Sequence, residues 1–176
     1  MTEVKLSSDS RAVQTHYITA ADVNSEEHVH GGRLMKMIDM CAGATFAIHA
    51  GARGVTASVD SLNFFQAIGI DQLMLVESYV TGTGRYSVET FVKVSGEDMN
   101  TGKTFLAATA FLTFVAISVK DGERQTVPGI QPVTSEEQYI CAGYDERVAA
   151  RKAKRELNRD FNQHITLTPP WAEAED

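Results

Sequence analysis

At 176 residues the chain has room for one domain with a sizeable core, and 43% hydrophobic with 22% charged residues is the make-up of a globular protein, which excludes fibrous and disordered classes. A formal net charge of -7 leaves out the general electrostatic footprint of a nucleic-acid binder, so a polyanionic ligand would have to meet a local basic patch. Two cysteines, Cys41 and Cys141, form neither a disulfide framework nor a metal-ligand pattern, and no apolar run approaches a membrane span, so the expectation is a cytoplasmic protein with no nucleic-acid and no membrane partner.

Residues 1–11 are polar and lack the apolar region of a secretion signal. Residues 11–19 are rich in β-formers, with Val13, Thr15 and Tyr17 alternating onto one face, and predict a first strand. A polar loop with Asp22, Asn24, Ser25, Glu26 and Glu27 leads to the pair Gly31-Gly32, which opens a long helix. From Arg33 onward Leu34, Met37, Ile38, Cys41, Ala44, Phe46, Ala47 and Ile48 cover more than the one apolar stripe of a surface helix, so this helix is expected to be largely buried. Cys41 reads most simply as a small core residue. Ala42, Gly43 and Ala44 would let another backbone approach, and Gly51 and Gly54 bracket the helix end.

One carboxylate, Asp39, stands between Ile38 and Met40 in that helix. Burial disfavours a charged carboxylate unless a partner compensates, so its presence needs a reason. Either it pairs with Lys36 at helical spacing or reaches solvent at a sheet edge, or it takes part in chemistry. The glycines bear on the choice, because a Gly-Gly pair at a helix start admits a ligand close to the backbone and offers it unpaired N–H groups at the positive end of the helix dipole. Asp39 lies roughly 10 Å along the axis from Gly32 at about 1.5 Å per residue, so one ligand lying along the helix could touch both.

Residues 55–65 alternate and predict a second strand; residues 73–82 and 86–94 flank the turn Gly82-Thr83-Gly84 and predict a hairpin. A turn at Asn100-Thr101-Gly102-Lys103 joins that hairpin to residues 105–119, apolar on both faces as a covered strand should be. Long strands following one helix predict an α+β fold, an antiparallel sheet wrapped around a central helix. Pro128 and Pro132 mark an exit linker, Ser135-x-x-Gln138 resembles a capping box, and residues 145–161 form a charged helix, either laced with ion pairs or presenting a basic surface through Arg147, Arg151 and Lys152. The expected division is a domain over residues 1–125 and a helical C-terminal extension over 126–176, flexible after Thr168.

Asp22-Val23-Asn24, His28-Val29-His30-Gly31-Gly32, Leu34-Met35-Lys36-Met37-Ile38-Asp39 and Ala42-Gly43, followed by Val55 to Phe64, Gly84-Arg85-Tyr86-Ser87-Val88-Glu89 and Ala107 to Ala116, together resemble the hotdog-fold acyl-CoA thioesterases of the acyl-CoA hydrolase family. The resemblance covers residues 11–120 in order. It departs from the family at Glu27-His28, at Ala67 and at Asp71-Gln72, which bears on loop shape and substrate preference and leaves Asn24, Gly31, Gly32 and Asp39 untouched.

That resemblance implies a hotdog fold, edge-to-edge homodimers assembled further into hexamers as trimers of dimers, and hydrolysis of acyl-CoA to a free acid and CoA, with no cofactor other than the coenzyme A of the substrate. Asn24 matches the family's active-site asparagine and Asp39 its catalytic aspartate, contributed by opposite protomers. Gly31 and Gly32 would polarise the thioester carbonyl, and Asp39 would act as general base or as nucleophile. CoA is expected near Val59, Ser61, Arg85 and Ser87, with His30 at the entrance and Arg147 a further candidate for phosphate. His28 and His30 lack a partner motif for a metal, and Ser61 and Ser87 lack the adjacent base of a triad. The alternatives are a hydroxyacyl dehydratase, for which no motif-matched histidine accompanies Asp39, and a non-catalytic acyl-CoA or nucleotide sensor on the same fold.

Overall fold

The computed structural model describes residues 3–117, 119–120 and 123–169. The end of the tail expected to be flexible, residues 170–176, lies outside them. The chain forms two compact units, Met1–Ala142 and Gly143–Asp176. The first holds β1 (Val4–Leu6), β2 (Ala12–Tyr17), α1 (Gly31–Ala50), β3 (Gly54–Phe64), β4 (Gln72–Thr83), β5 (Ser87–Asp98), β6 (Thr104–Ala116), β7 (Val119–Lys120), β8 (Glu123–Arg124), β9 (Gly129–Gln131) and α2 (Ser135–Ala142). The second is built on α3 (Tyr144–Gln163), a helix without a buried side chain in which Arg151 lies over the Tyr144 ring.

Five strands form the main sheet in the order β2-β4-β5-β6-β3, each antiparallel to its neighbours. Period-two alternation sends Met74, Val76 and Val80 of β4 toward α1, together with Val88 and Val92 of β5 and Ala110, Leu112 and Phe114 of β6. The helix lies close to the strands, because the Cys41 thiol approaches the carbonyls of Ala12 and Val76 and the Thr45 hydroxyl donates to the Ser78 carbonyl. Alanines in β6 and Ala42 in α1 make that approach possible, whereas a Cβ on Gly43 would meet the Phe114 ring at an ordinary 3.7 Å. Gly54 is different. A Cβ there would stand 2.2 Å from the Phe46 ring, so the ring takes the space. Gly51, with φ 57°, ends α1 in the left-handed cap that glycine favours.

The helix is not buried all round, contrary to the expectation. Leu34, Met37, Ile38, Cys41, Ala42, Thr45, Phe46 and His49 form one stripe against the sheet, while Met35, Asp39, Met40 and Ile48 face outward from the single chain. A helix lying on one sheet can bury only the face it turns to that sheet.

The other sheet face carries Tyr79, Phe91 and Phe111, whose rings pack in sequence. Here α2 is tied down by charge: Arg11 bridges Glu77 and Glu137, and Lys93 reaches Glu77 and Glu136. Its capping box begins one residue before the expected Ser135. The Thr134 hydroxyl accepts the Glu137 N–H, and the Glu137 carboxylate accepts the Thr134 and Val133 amides. A short parallel pair, β1 with β9, fastens the N-terminus to the segment leading into α2.

Candidate active site

The loop between β2 and α1 is held by Asp22. Its buried carboxylate accepts from the Thr19 N–H and hydroxyl at 2.8 and 2.9 Å and pairs with Arg33 at 2.8 Å, and its carbonyl accepts the His30 N–H. The Thr19 donors, then Arg33, keep the Asp22 carboxyl below the usual range against the opposing pull of desolvation. Farther along, the Val29 N–H donates to the Ile68 carbonyl, which seats the loop on the segment after β3.

Asn24 is exposed inside this loop. Its side-chain carbonyl accepts the Glu26 and His28 amides at 3.0 and 3.1 Å. Two N–H donors to its carbonyl fix the orientation of the amide and leave the NH₂ group, a donor, for a further partner. Glu27 completes the turn at φ 58°.

His30 is the N-cap of α1 and gives it no side-chain cap. The first intrahelical bond runs from the Leu34 N–H to the His30 carbonyl, which leaves the amides of Gly31 and Gly32 at an open helix end. Cβ atoms built on either glycine meet nothing within 4 Å. The glycines therefore serve no packing need within the chain; what they leave clear is the approach to their amides.

Asp39 is exposed, and its partner is the hydroxyl of Thr56 in β3, at 2.7 Å, rather than Lys36. Thr56 is a candidate site residue that the sequence by itself does not single out. Its signals were a hydroxyl near the start of a strand and a place in the Val55 to Phe64 stretch of the resemblance; the pairing that brings it to Asp39 is tertiary.

Beside Gly31 lies an apolar cavity of about 230 Å³. Leu34 and Ile68 form its buried side and Phe64 and Phe65 its exposed one.

Strand register divides the remaining candidates between two ends. Val55 and Ser87 both pair with Val115, so Thr56, Ser87 and the β4–β5 turn with Arg85 share one end of the sheet. Phe64 pairs with Ala108 at the other end, near Gly31 and Ile68. Arg85 lies over the Tyr86 ring and lines a second cleft, of about 410 Å³, with Thr83, Thr126 and Gly129. Val59 and Ser61 sit midway along β3, either side of a bulge at Asp60 that takes hydrogen bonds from Ser58 and Thr113. Within one chain Asn24 and Gly31 are thus separated from Thr56, Arg85 and Ser87. Arg147 lies on α3, in the second unit. Among the described residues no group of three or more His, Cys, Asp or Glu side chains could hold a metal, and no helix is long and apolar enough to cross a membrane.

The family model of the thioesterase superfamily matches residues 26–103. The Bacillus subtilis protein YkhA, named as an uncharacterised acyl-CoA thioester hydrolase, is 36% identical over 169 residues, 96% of this chain and 98% of its own. The mouse cytosolic acyl coenzyme A thioester hydrolase is 32% identical over 84% of this chain, which spans 39% of the mouse protein. Among solved structures, the Staphylococcus aureus acyl-CoA hydrolase in complex with butyryl-CoA and CoA superposes with a TM-score of 0.85 at 32% identity, covering 92% of this chain and 98% of that one. A hexameric acyl-CoA thioesterase superposes with a TM-score of 0.82 at 32% identity over 87% of this chain and 97% of its own. The Staphylococcus aureus enzyme has also been solved as alanine variants of an asparagine, an aspartate and a threonine. In that enzyme the asparagine precedes the aspartate by 15 residues and the threonine follows it by 17, the separations of Asn24, Asp39 and Thr56 here.

Proposed function

The chain belongs to the thioesterase superfamily, as one of its hotdog-fold acyl-CoA thioester hydrolases, and we propose that it cleaves fatty acyl-CoA to a free acid and CoA at a site shared by two copies of the chain. The observation that carries this is the Asp39–Thr56 hydrogen bond, with Asn24 at the matching sequence separation.

The free edge of β3 supports the shared site. It is an eleven-residue edge strand with Val55, Val59 and Phe64 exposed, beside the outward Met35 and Met40 of α1. Such an edge invites pairing. If two copies join antiparallel along β3, the Thr56 end of one lies against the Phe64 end of the other. That brings Asp39 to the partner's Asn24 and Gly31, which a single chain holds apart, and sets Arg85 and Ser87 on the same side as Asp39. The solved hexameric relative supports further assembly into a trimer of dimers.

In this arrangement the thioester oxygen accepts hydrogen bonds from the partner's Gly31 and Gly32 amides and the partner's Asn24 NH₂ group. Each good donor contributes on the order of 3 kcal/mol as charge develops on that oxygen. Asp39, held in orientation by the Thr56 hydroxyl, takes a proton from water as the water attacks the carbonyl carbon, or attacks that carbon itself to give a mixed anhydride that water then hydrolyses, releasing the acid and restoring the carboxylate. The C–S bond breaks and CoA leaves as a thiolate, which is then protonated. Val59, Ser61 and Ser87 line the path of the pantetheine arm, His30 stands at the entrance, and Arg85 meets phosphate.

The test is steady-state hydrolysis of a panel of acyl-CoAs by the protein beside Asp39→Asn, following released thiol. Turnover that falls at least a thousandfold in the variant supports the reading. Binding without turnover in both proteins would replace it with the acyl-CoA sensor.

A further inference from the structure

Resting on the thioesterase reading, we infer that the apolar cavity beside Gly31 is the seat of the acyl chain, and that Phe64, Phe65 and Ala67 restrict the enzyme to short and medium chains. A carbonyl bound at the Gly31 amide has two substituents, the hydrocarbon chain and the sulfur leading to pantetheine, and one of them must enter the space that Gly31 borders.

The chemistry of the walls decides which. Val29, Leu34, Phe64, Phe65, Ala67 and Ile68 contribute carbon surface, and Gln66 is the one polar side chain among the lining residues. Several polar groups of the surrounding backbone are already used: the Phe65 and Gln66 amides donate to the Ala107 carbonyl, and the Ile68 carbonyl accepts from Val29. The two amides of pantetheine would leave water for a wall with few partners to offer, whereas an alkyl chain gives up nothing there. Each methylene buried should raise affinity several-fold.

Size sets the limit. A methylene needs about the volume of a water molecule, roughly 30 Å³, so the half-open cavity of about 230 Å³ that one chain provides takes roughly seven of them. Leu34 and Ile68, at 6% and 3% exposure, are packed into the core and close the far side. The rate should therefore climb with chain length to about eight carbons and fall beyond it.

The experiment measures kcat/KM for acetyl- to palmitoyl-CoA with the wild type, Ala67→Leu and Phe65→Ala. Ala67→Leu fills space equal to about three methylenes and should lower the octanoyl-to-butyryl ratio of kcat/KM at least tenfold. Phe65→Ala removes a wall and should move the optimum to longer chains, which a merely destabilised protein would not do. Parallel profiles in all three proteins would overturn the assignment while leaving the hydrolase intact. A KM raised equally at every chain length, with weaker inhibition by free CoA, would place pantetheine in the cavity and overturn it too. Absence of turnover on every acyl-CoA by the wild type would remove the thioesterase reading itself.

Discussion

The hydroxyl of Thr56 donates to the carboxylate of Asp39 at 2.7 Å, joining the outward face of α1 to β3, the edge strand of the sheet. This bond orients one carboxylate oxygen and leaves the other for chemistry. Thr56→Val keeps the shape and removes the donor, so kcat should fall by roughly ten- to a hundredfold with KM nearly unchanged, the loss of one bond that counts in the transition state. Thr56→Ser should recover most of it. A Thr56→Val enzyme as fast as the wild type would show that Asp39 needs no such support.

Asn24 and Asp39 cannot meet in one chain if the site is shared, and this can be tested by mixing. Asp39→Asn and Asn24→Ala should each be inactive alone. Coexpressed, every mixed dimer has one site with both residues intact and one with neither, so random pairing restores about a quarter of wild-type activity. No recovery, with mixed dimers verified by tagging each chain differently, would place both residues in one protomer.

Gly31 has room for a side chain and no positive φ to demand glycine. Gly31→Ala should therefore change stability by less than about 0.5 kcal/mol, while the new methyl group blocks the approach to the amide and lowers kcat/KM at least tenfold. Thermal melts and kinetics on the same preparation separate the two. Unchanged kinetics would remove the Gly31 amide from the site.

Glu137 is fully buried where α2 meets the sheet. Burial pushes its carboxyl up, and the Thr134 and Val133 amides with the Arg11 guanidinium outweigh that, so the net position is below the usual glutamate range. A carboxyl depressed in the folded state contributes stability that is fully present above its unfolded value, about 4.3, and is lost as pH falls through the folded one. Glu137→Gln should cost about 1–2 kcal/mol at pH 7 by removing one of the two carboxylates that Arg11 bridges, Glu77 remaining, and should flatten the acid limb of stability. Urea melts at pH 7 and pH 4 read both effects. An acid limb as steep as that of the wild type would assign it to other carboxylates, Glu136 first, which is depressed on balance by Lys93 and Tyr79 against its own desolvation.

Cys41 lies at 0% exposure, and burial pushes its thiol up to about 11. A maleimide at pH 8 should leave it unmodified in the native protein and modify it after denaturation, as mass spectrometry of the peptides would show. Rapid native labelling would mean that α1 lifts from the sheet far more often than its packing implies.

Local pattern was enough for much of this protein. Alternation located β2 to β5, a run apolar on both faces located β6, the spacing of apolar residues located α1, and Gly51 marked its end, because each depends on which face of a short segment meets the core or on a single backbone angle. The resemblance in residues 11–120 pointed to Asn24, Gly31, Gly32 and Asp39 because those residues fall in a fixed order along one loop and one helix. The tertiary structure decided the rest. Thr56 reaches Asp39 only through packing of the helix beside β3, and no spacing in the sequence reports that contact. Asp39 is outward rather than buried because a helix on one sheet has a second face, which its apolar residues alone had made look like core. The pair β1 and β9 joins segments more than a hundred residues apart by backbone bonds, and a three-residue strand carries no periodicity to announce it. The division of the site, with Gly31 and Phe64 at one end of the sheet and Thr56 and Arg85 at the other, follows from strand register, a relation between segments that no segment holds by itself.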